Sequence, residues 1–159
     1  MAHWLEETEN MVYAGRIKVP YRWYVGEVGS RFLTTLRNKK EIWGTRCSRC
    51  KRVYIPPAKN CGECFSLTDE WVQVKNTGTL QSFTVVRYSH DMQPRSVPFA
   101  YGLIKLDGAD GSLLHFIGDT DLDALQVGMR VEAVFADERE GSILDIRHFR
   151  PVGGGDSNG

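Results

Sequence analysis

The sequence predicts a mainly β protein in three parts: an N-terminal helical and aromatic arm, a small rubredoxin-like ribbon and a C-terminal barrel of the OB type. Three observations predict it. All four cysteines fall within eighteen residues as two CxxC pairs. One amphipathic helical stretch precedes them, and a train of short alternating runs, separated by turn dipeptides, follows.

The arm is read first. Trp4, Tyr13, Tyr21, Trp23 and Tyr24 crowd the first 24 residues with Pro20 and few helix signals, so an extended course is expected. Aromatics at this density form an apolar patch that marks an interface. Packing back onto the protein's own domain is the alternative. From Glu27 to Lys40, apolar Val28, Phe32, Leu33 and Leu36 recur at three- and four-residue spacing opposite Arg31, Arg37 and Lys39. That spacing predicts a helix, with Gly29-Ser30 near its start and Lys39-Lys40 at its end as capping and dipole signals. The helix either covers the ribbon or serves docking.

Next come Cys47, Cys50, Cys61 and Cys64, ten residues separating the pairs and no cysteine left over. A CxxC turn lets two thiolates converge on one ion, and two such turns close a tetrahedral sulfur site that suits a structural zinc. Ten residues is a short gap for a ribbon; Pro56-Pro57 and Gly62 supply the tight backbone it needs. Two disulfides would require an oxidising compartment, and a redox CxxC would require a thioredoxin-like context that is missing. Four thiolates fill the coordination shell, which argues against a catalytic metal.

Beyond Cys64, β-branched and alternating content predicts strands over Glu70–Val74, Thr79–Arg87, Phe99–Leu106, Leu113–Ile117, Arg130–Phe135 and Ile143–Phe149. Thr77-Gly78, Asp107-Gly108, Asp110-Gly111, Gly128 and Glu140-Gly141 punctuate them. A one-turn helix is expected at Asp119–Leu125, between the third and fourth barrel strands as in an OB barrel, with the Glu70 segment joining ribbon to barrel. The organisation is therefore 1–41 arm and helix, 42–69 ribbon, 70–152 barrel and 153–159 disordered tail.

Charge narrows the function. The chain of 159 residues has 20 basic and 20 acidic side chains, so no net field draws it to nucleic acid. The balance is local, however. From Arg31 to Lys59 nine bases stand against Glu41 alone, a formal +8, while from Lys105 to Asp145 ten acids stand against three bases, a formal −7. Arg46, Arg49, Lys51 and Arg52 flank the first CxxC turn as a preorganised anion site, with Tyr54, Phe65 and Trp71 as ring faces for a base. The alternative is a solvated charged surface. Single-strand nucleic-acid binding is the second hypothesis for a ribbon and an OB barrel, and the acidic barrel argues against it.

Catalysis is not expected of this chain. The metal site would consume every thiol, and His3, His90, His115 and His148 lie in no HExxH or GxSxG arrangement. The acids of Asp119–Asp123 read as a helix start rather than a dyad. No apolar run is long enough to span a bilayer and no secretory signal is evident, so a cytoplasmic protein with no membrane partner is expected.

Between Ile17 and Val152 the sequence resembles a family, the zinc-ribbon plus OB-fold proteins associated with acyl-CoA enzymes and long catalogued as a domain of unknown function. The residues that carry the resemblance are Gly26–Phe32, Ile42–Cys47, Val53–Pro57, Cys61–Phe65, Gly78–Val85, Phe99–Asp107, Gly128–Val131 and Phe149–Pro151. Lys59 and Gly62 depart from the commoner arginine and proline. The resemblance implies a non-catalytic subunit bound to a thiolase-fold catalytic partner that supplies the cysteine and histidines. This chain would brace the assembly and help bind coenzyme A, whose 3′-phosphate and diphosphate suit guanidinium forks. The aromatic arm is similar to that of small thiolase subunits from anaerobic aromatic degradation. The same scaffold serving an enoyl-CoA hydratase is a third reading.

Overall fold

The computed structural model describes residues 11–13, 15, 19–91, 93 and 95–152. Trp4 and His3 of the arm, and the tail expected at 153–159, lie outside the described residues.

Residues 19–25 run without regular structure into α1, Gly26–Lys39. Its apolar stripe is used as the spacing predicts: Phe32 and Leu36 are buried, and Leu33 packs against the core. The capping differs from the expectation. Val25 occupies the N-cap with no side-chain hydrogen bond, and Gly29-Ser30 lie inside the first turns. The helix is held by its buried face rather than by a cap. It stops where Lys40 turns left-handed (φ 57°) and returns its N–H to the Leu36 carbonyl at 3.1 Å.

Strands β1 (Ile42–Arg46), β2 (Val53–Tyr54) and β3 (Glu70–Val74) form an antiparallel sheet in the order β2-β1-β3. Gly44 is required here, because a Cβ would sit 2.6 Å from the Tyr54 carbonyl oxygen. The segment expected to join ribbon to barrel is thus a full strand of the ribbon sheet, registered from Ile42↔Val74 to Arg46↔Glu70. The 69/70 border drawn from the sequence runs just ahead of a strand that hydrogen-bonds back to the ribbon.

Five further strands, β4 (Thr77–Val86), β5 (Phe99–Leu106), β6 (Leu113–Ile117), β7 (Arg130–Phe135) and β8 (Ile146–Pro151), close into a barrel in the order β4-β5-β6-β8-β7. Closure depends on β4, which bends at an irregularity between Leu80 and Ser82. Its first residues thereby pair with β7 and its full length with β5. A 3-10 turn at Leu122–Ala124, capped by the Asp121 side chain, sits between β6 and β7 as expected.

One strand begins later than its alternation suggests. Ile143–Asp145 is a second 3-10 turn: the Ser142 hydroxyl accepts from Leu144 N, and the buried Asp145 carboxylate accepts from the amides of Glu140 and Gly141. Those bonds fold the approach to β8 onto itself, and pairing with β7 starts at Ile146↔Phe135.

A single core joins the two sheets. Leu80, Ile104, Leu106, Val131, Ile146 and Phe149 fill the barrel and are contiguous with Phe32, Leu36, Ile42, Val53, Ile55 and Val74 around the ribbon. The β5–β6 turn clamps the junction. Asp110 accepts from Val53 N through its side chain (2.8 Å) and donates its own N–H to the Val53 carbonyl (3.0 Å). On the other side, Arg139 donates to the Arg37 carbonyl at 2.7 Å, tying the end of α1 to the loop before β8. Among the described residues, no helix is long and apolar enough to cross a membrane.

Candidate metal centre

Two near-identical knuckles project from the ribbon sheet. In the first, Cys47 N bonds to the Arg52 carbonyl and Lys51 N to the Cys47 carbonyl; in the second, Cys61 N bonds to the Ser66 carbonyl and Phe65 N to the Cys61 carbonyl. Lys51 (φ 64°) and Phe65 (φ 55°) occupy equivalent positions and both are left-handed, which reverses the chain in the space available. Each knuckle also points an amide at its first sulfur, Cys50 N to Cys47 Sγ and Cys64 N to Cys61 Sγ, both at 3.4 Å.

The four Sγ atoms lie within 4.8 Å of one another, with Cys50 and Cys61 at 3.5 Å. Four sulfurs at about 2.3 Å from a tetrahedral ion would stand roughly 3.8 Å apart. The donor set therefore fits zinc in number, softness and spacing.

Protonation supports the fit. Cys47 is drawn down to about 6, chiefly by the Ser66 hydroxyl 3.2 Å from its sulfur, and Cys61 is lowered chiefly by the Tyr54 hydroxyl, also at 3.2 Å. Cys64 is pushed up to about 12 by its bond to Cys50 and by burial. Cys50 is also raised, burial and the neighbouring thiols outweighing the Arg52 amide. Four thiols this close cannot all ionise unaided, whereas a divalent cation at their centre would hold them all as thiolates.

The sequence did not announce that Ser66 and Tyr54 would reach the sulfurs; Tyr54 reads there only as a ring face. Tyr54 accepts from Gly62 N (3.1 Å), which leaves its proton for Cys61. No spacing rule marks them; only the antiparallel return of the two knuckles brings them to the sulfurs.

The expected anion site is divided. Arg46 pairs with Glu70 at 2.8 Å and Arg52 with Glu63 at 3.0 Å. Among the described residues Arg49 and Lys51 enter no ion pair, and both are exposed. The ring faces are likewise reassigned: Tyr54 serves Cys61, Trp71 lies under the Arg31 guanidinium at 4.4 Å, and Phe65 alone of the three is openly exposed.

Two of the histidines are buried in the barrel. His115 is buried in β6, its Nδ1 accepting from Phe116 N and its Nε2 3.1 Å from the Ile143 carbonyl. Burial lowers its pKa, which fixes a neutral ring between two backbone groups. His148 Nε2 is buried 2.9 Å from the Asp119 carboxylate without a well-aligned hydrogen bond, and Asp119 is held below the usual carboxylate range by that ring. The remaining acids of this stretch cap the 3-10 turn or pair outward: Asp121 accepts from Asp123 N, and Asp123 pairs with Arg87.

Opposite in character is the approach to α1. Tyr13, Tyr21, Trp23 and Tyr24 are exposed by 87, 77, 70 and 76%. Tyr24 and the first turn of α1 border a cleft of about 550 Å³ against Pro57 and Lys59 of the ribbon. The aromatics of the arm that the structure describes are therefore open, not packed back on the chain.

Comparison with known proteins agrees with this fold. Residues 71–136 match the family described as the C-terminal OB-fold domain of ChsH2. A DUF35 domain-containing scaffold protein of Methanocaldococcus jannaschii is 27% identical over 114 residues, 69% of this chain and 80% of that protein. A protein of the same description from Methanothermobacter thermautotrophicus is 26% identical over 100 residues, 62% of this chain and 74% of its own. Among solved structures, the Ltp2-ChsH2(DUF35) aldolase includes a chain that superposes with a TM-score of 0.62 at 21% identity, covering 82% of this chain and 98% of that one. A DUF35 protein of unknown function from Sulfolobus solfataricus superposes with a TM-score of 0.57 at 24% identity, covering 69% and 78%. In fold the chain thus resembles the DUF35 proteins, its barrel segment matching the ChsH2 C-terminal OB-fold domain.

Proposed function

We propose that the chain is a non-catalytic, zinc-binding scaffold subunit of a thiolase, an acyl-CoA acyltransferase complex. It braces the catalytic subunit and helps hold coenzyme A while a β-oxoacyl-CoA is cleaved. The observation that carries this reading is the arm: three rings, Tyr21, Trp23 and Tyr24, stay in water immediately before a helix whose other face is locked into the core. A folded chain keeps such rings exposed at a cost that a partner surface recovers.

Three further points support it. His115 is held between two backbone groups and His148 faces Asp119, an arrangement that suits a chain leaving the chemistry to a partner. The relatives are described as scaffold proteins. Arg49 and Lys51, free of acidic partners among the described residues and held beside the first knuckle, are the cations placed to meet a diphosphate, whereas Arg46 and Arg52 would first have to leave Glu70 and Glu63.

Bound by Cys47, Cys50, Cys61 and Cys64, zinc would supply structure alone, since four thiolates leave no open coordination position. What the chain's own residues then do is hold Arg49 and Lys51 at fixed separation and hold α1 at a fixed angle, through the core that Phe32 and Leu36 share with Ile42 and Val53. In its most specific form the reading is the small subunit of benzoylsuccinyl-CoA thiolase in anaerobic aromatic degradation.

A second partner class is favoured by one observation, the fold shared with a chain of the Ltp2-ChsH2(DUF35) aldolase. An aldolase partner would use the same scaffold to cleave a carbon–carbon bond without a thiol acceptor. Co-expression of this chain with a thiolase-fold catalytic chain, then size-exclusion chromatography, tests the proposal. A single peak containing both supports it, and separate elution at micromolar concentration counts against it. Co-elution with an enoyl-CoA hydratase, or salt-sensitive retention on single-stranded DNA, would direct the assignment to those alternatives.

A further inference from the structure

The two halves of the sulfur cluster are not equivalent. The first cysteine of each knuckle is sealed: Cys47 and Cys61 expose 0 and 1% of their surface. Each also receives two donors, an amide and a hydroxyl: Cys50 N and Ser66 for Cys47, Cys64 N and Tyr54 for Cys61. Every such bond draws electron density from sulfur and makes it a poorer nucleophile. The second cysteine of each knuckle is different. Cys50 is exposed and Cys64 partly so, and among the described residues neither is bonded to a hydroxyl.

We propose that Cys50 and Cys64 form a peroxide-sensitive modification site through which the ribbon surrenders its metal, with Cys47 and Cys61 as the protected half. This rests on the zinc reading above. The Cys50 thiolate attacks one oxygen of hydrogen peroxide, forming an S–O bond, breaking the O–O bond and expelling hydroxide. The Cys64 thiolate, within 4.8 Å of every other sulfur of the cluster, attacks the Cys50 sulfenic sulfur, forms the S–S bond and expels a second hydroxide. Two electrons pass from the two sulfurs to the peroxide oxygens, and no other oxidant is needed. Zinc would be left with two protein ligands instead of four, and it dissociates.

The consequence reaches the arm. Ile42, Val53 and Ile55 of the ribbon share one core with Phe32 and Leu36 of α1, so loss of the metal loosens the base from which the exposed rings project. Docking thereby becomes sensitive to peroxide.

The test uses the full chain, reconstituted anaerobically with zinc, its metal content measured at one ion per chain. Hydrogen peroxide is added stoichiometrically while a chromophoric chelator reports released zinc, and differential alkylation with peptide mapping reports which thiols disappear. Cys50 and Cys64 should disappear first, in step with zinc, as one disulfide per ion. Tyr54→Phe and Ser66→Ala should each weaken zinc binding by about ten- to hundredfold and spread oxidation onto Cys61 and Cys47 respectively. If Cys50→Ser fails to hold zinc, these two variants still decide the matter. Simultaneous loss of all four thiols, or earlier loss of Cys47 and Cys61, overturns the inference and leaves the zinc site standing. Failure of the chain to take up zinc at all overturns both.

Discussion

Replacing Tyr21, Trp23 and Tyr24 together by alanine separates docking from folding. Because the three rings expose 77, 70 and 76% of their surface, the fold has little to lose, and each substitution should shift stability by no more than about 0.5 kcal/mol. A covered aromatic side chain buries roughly 150–250 Å², so the trio holds on the order of 400 Å² available to a partner. At about 25 cal/mol per Å² that is on the order of 10 kcal/mol before the costs of association. Aromatic anchors commonly lose about 2 kcal/mol or more each on truncation, so the triple variant should bind its catalytic partner more weakly by about ten-thousandfold or more. Titration calorimetry against the partner, beside a thermal melt of the isolated chain, reads both quantities. Binding within twofold of the parent chain would refute the docking role. A large fall in melting temperature would show instead that the rings pack on their own domain.

Three other outcomes follow from the same structure. Removing the metal from the zinc-loaded chain with a chelator should unfold the ribbon, because Cys47 and Cys61, like Val53 and Ile55 of the same ribbon, are buried. The melting temperature should fall steeply and recover on adding zinc back, as binding worth about 10 kcal/mol or more is coupled to folding. Gly102→Val should destabilise the barrel by about 1–3 kcal/mol, since even a Cβ there would meet Leu80 Cδ1 at 2.6 Å and Ile117 Cδ1 at 2.7 Å; urea melts give the value. Asp107, bonded by both Arg130 amino groups and by Thr77, is held down at about 2 against an ordinary 3.8. A depressed carboxyl stabilises the fold above the unfolded pKa, and that contribution is lost as pH falls through the folded one. The loss should therefore be confined to the window from about pH 4 to pH 2. With Asp107 31% exposed, screening keeps it below about 1 kcal/mol. Urea midpoints at several acidic values for the parent chain and Asp107→Asn check it, the variant lacking this part of the slope.

How far the sequence could be read depended on whether a signal was local. Strand β5 buries every second residue from Ala100 to Leu106, and alternation alone located both its ends. Cysteine spacing likewise announced the cluster, since only a short turn with convergent sulfurs makes sense of CxxC. Where pairing decided, the reading slipped. Thr77-Gly78 reads as a turn, yet Gly78 pairs with Leu106 and with Val131 because its missing Cβ admits the Lys105 carbonyl oxygen at 2.5 Å. Ile143 reads as strand, but the reach of Asp145 back to Glu140 and Gly141 curls it.

Charge counting overstated the anion site for a related reason. The +8 of the basic stretch took no account of Glu63 and Glu70, outside the stretch in sequence but adjacent to Arg52 and Arg46 in space. The hydroxyls of Tyr54 and Ser66 were invisible on similar grounds. Their role depends on the crossing of two knuckles, which no spacing rule marks.

The central claim is that this chain completes an enzyme without performing its chemistry, and steady-state turnover of a reconstituted pair tests it most directly. Thiolysis of a β-oxoacyl-CoA should be absent with the zinc-loaded chain alone, low with the catalytic chain alone and full with both. Turnover by this chain unaided, or a partner whose rate and coenzyme A affinity are unchanged by adding it, would contradict the account.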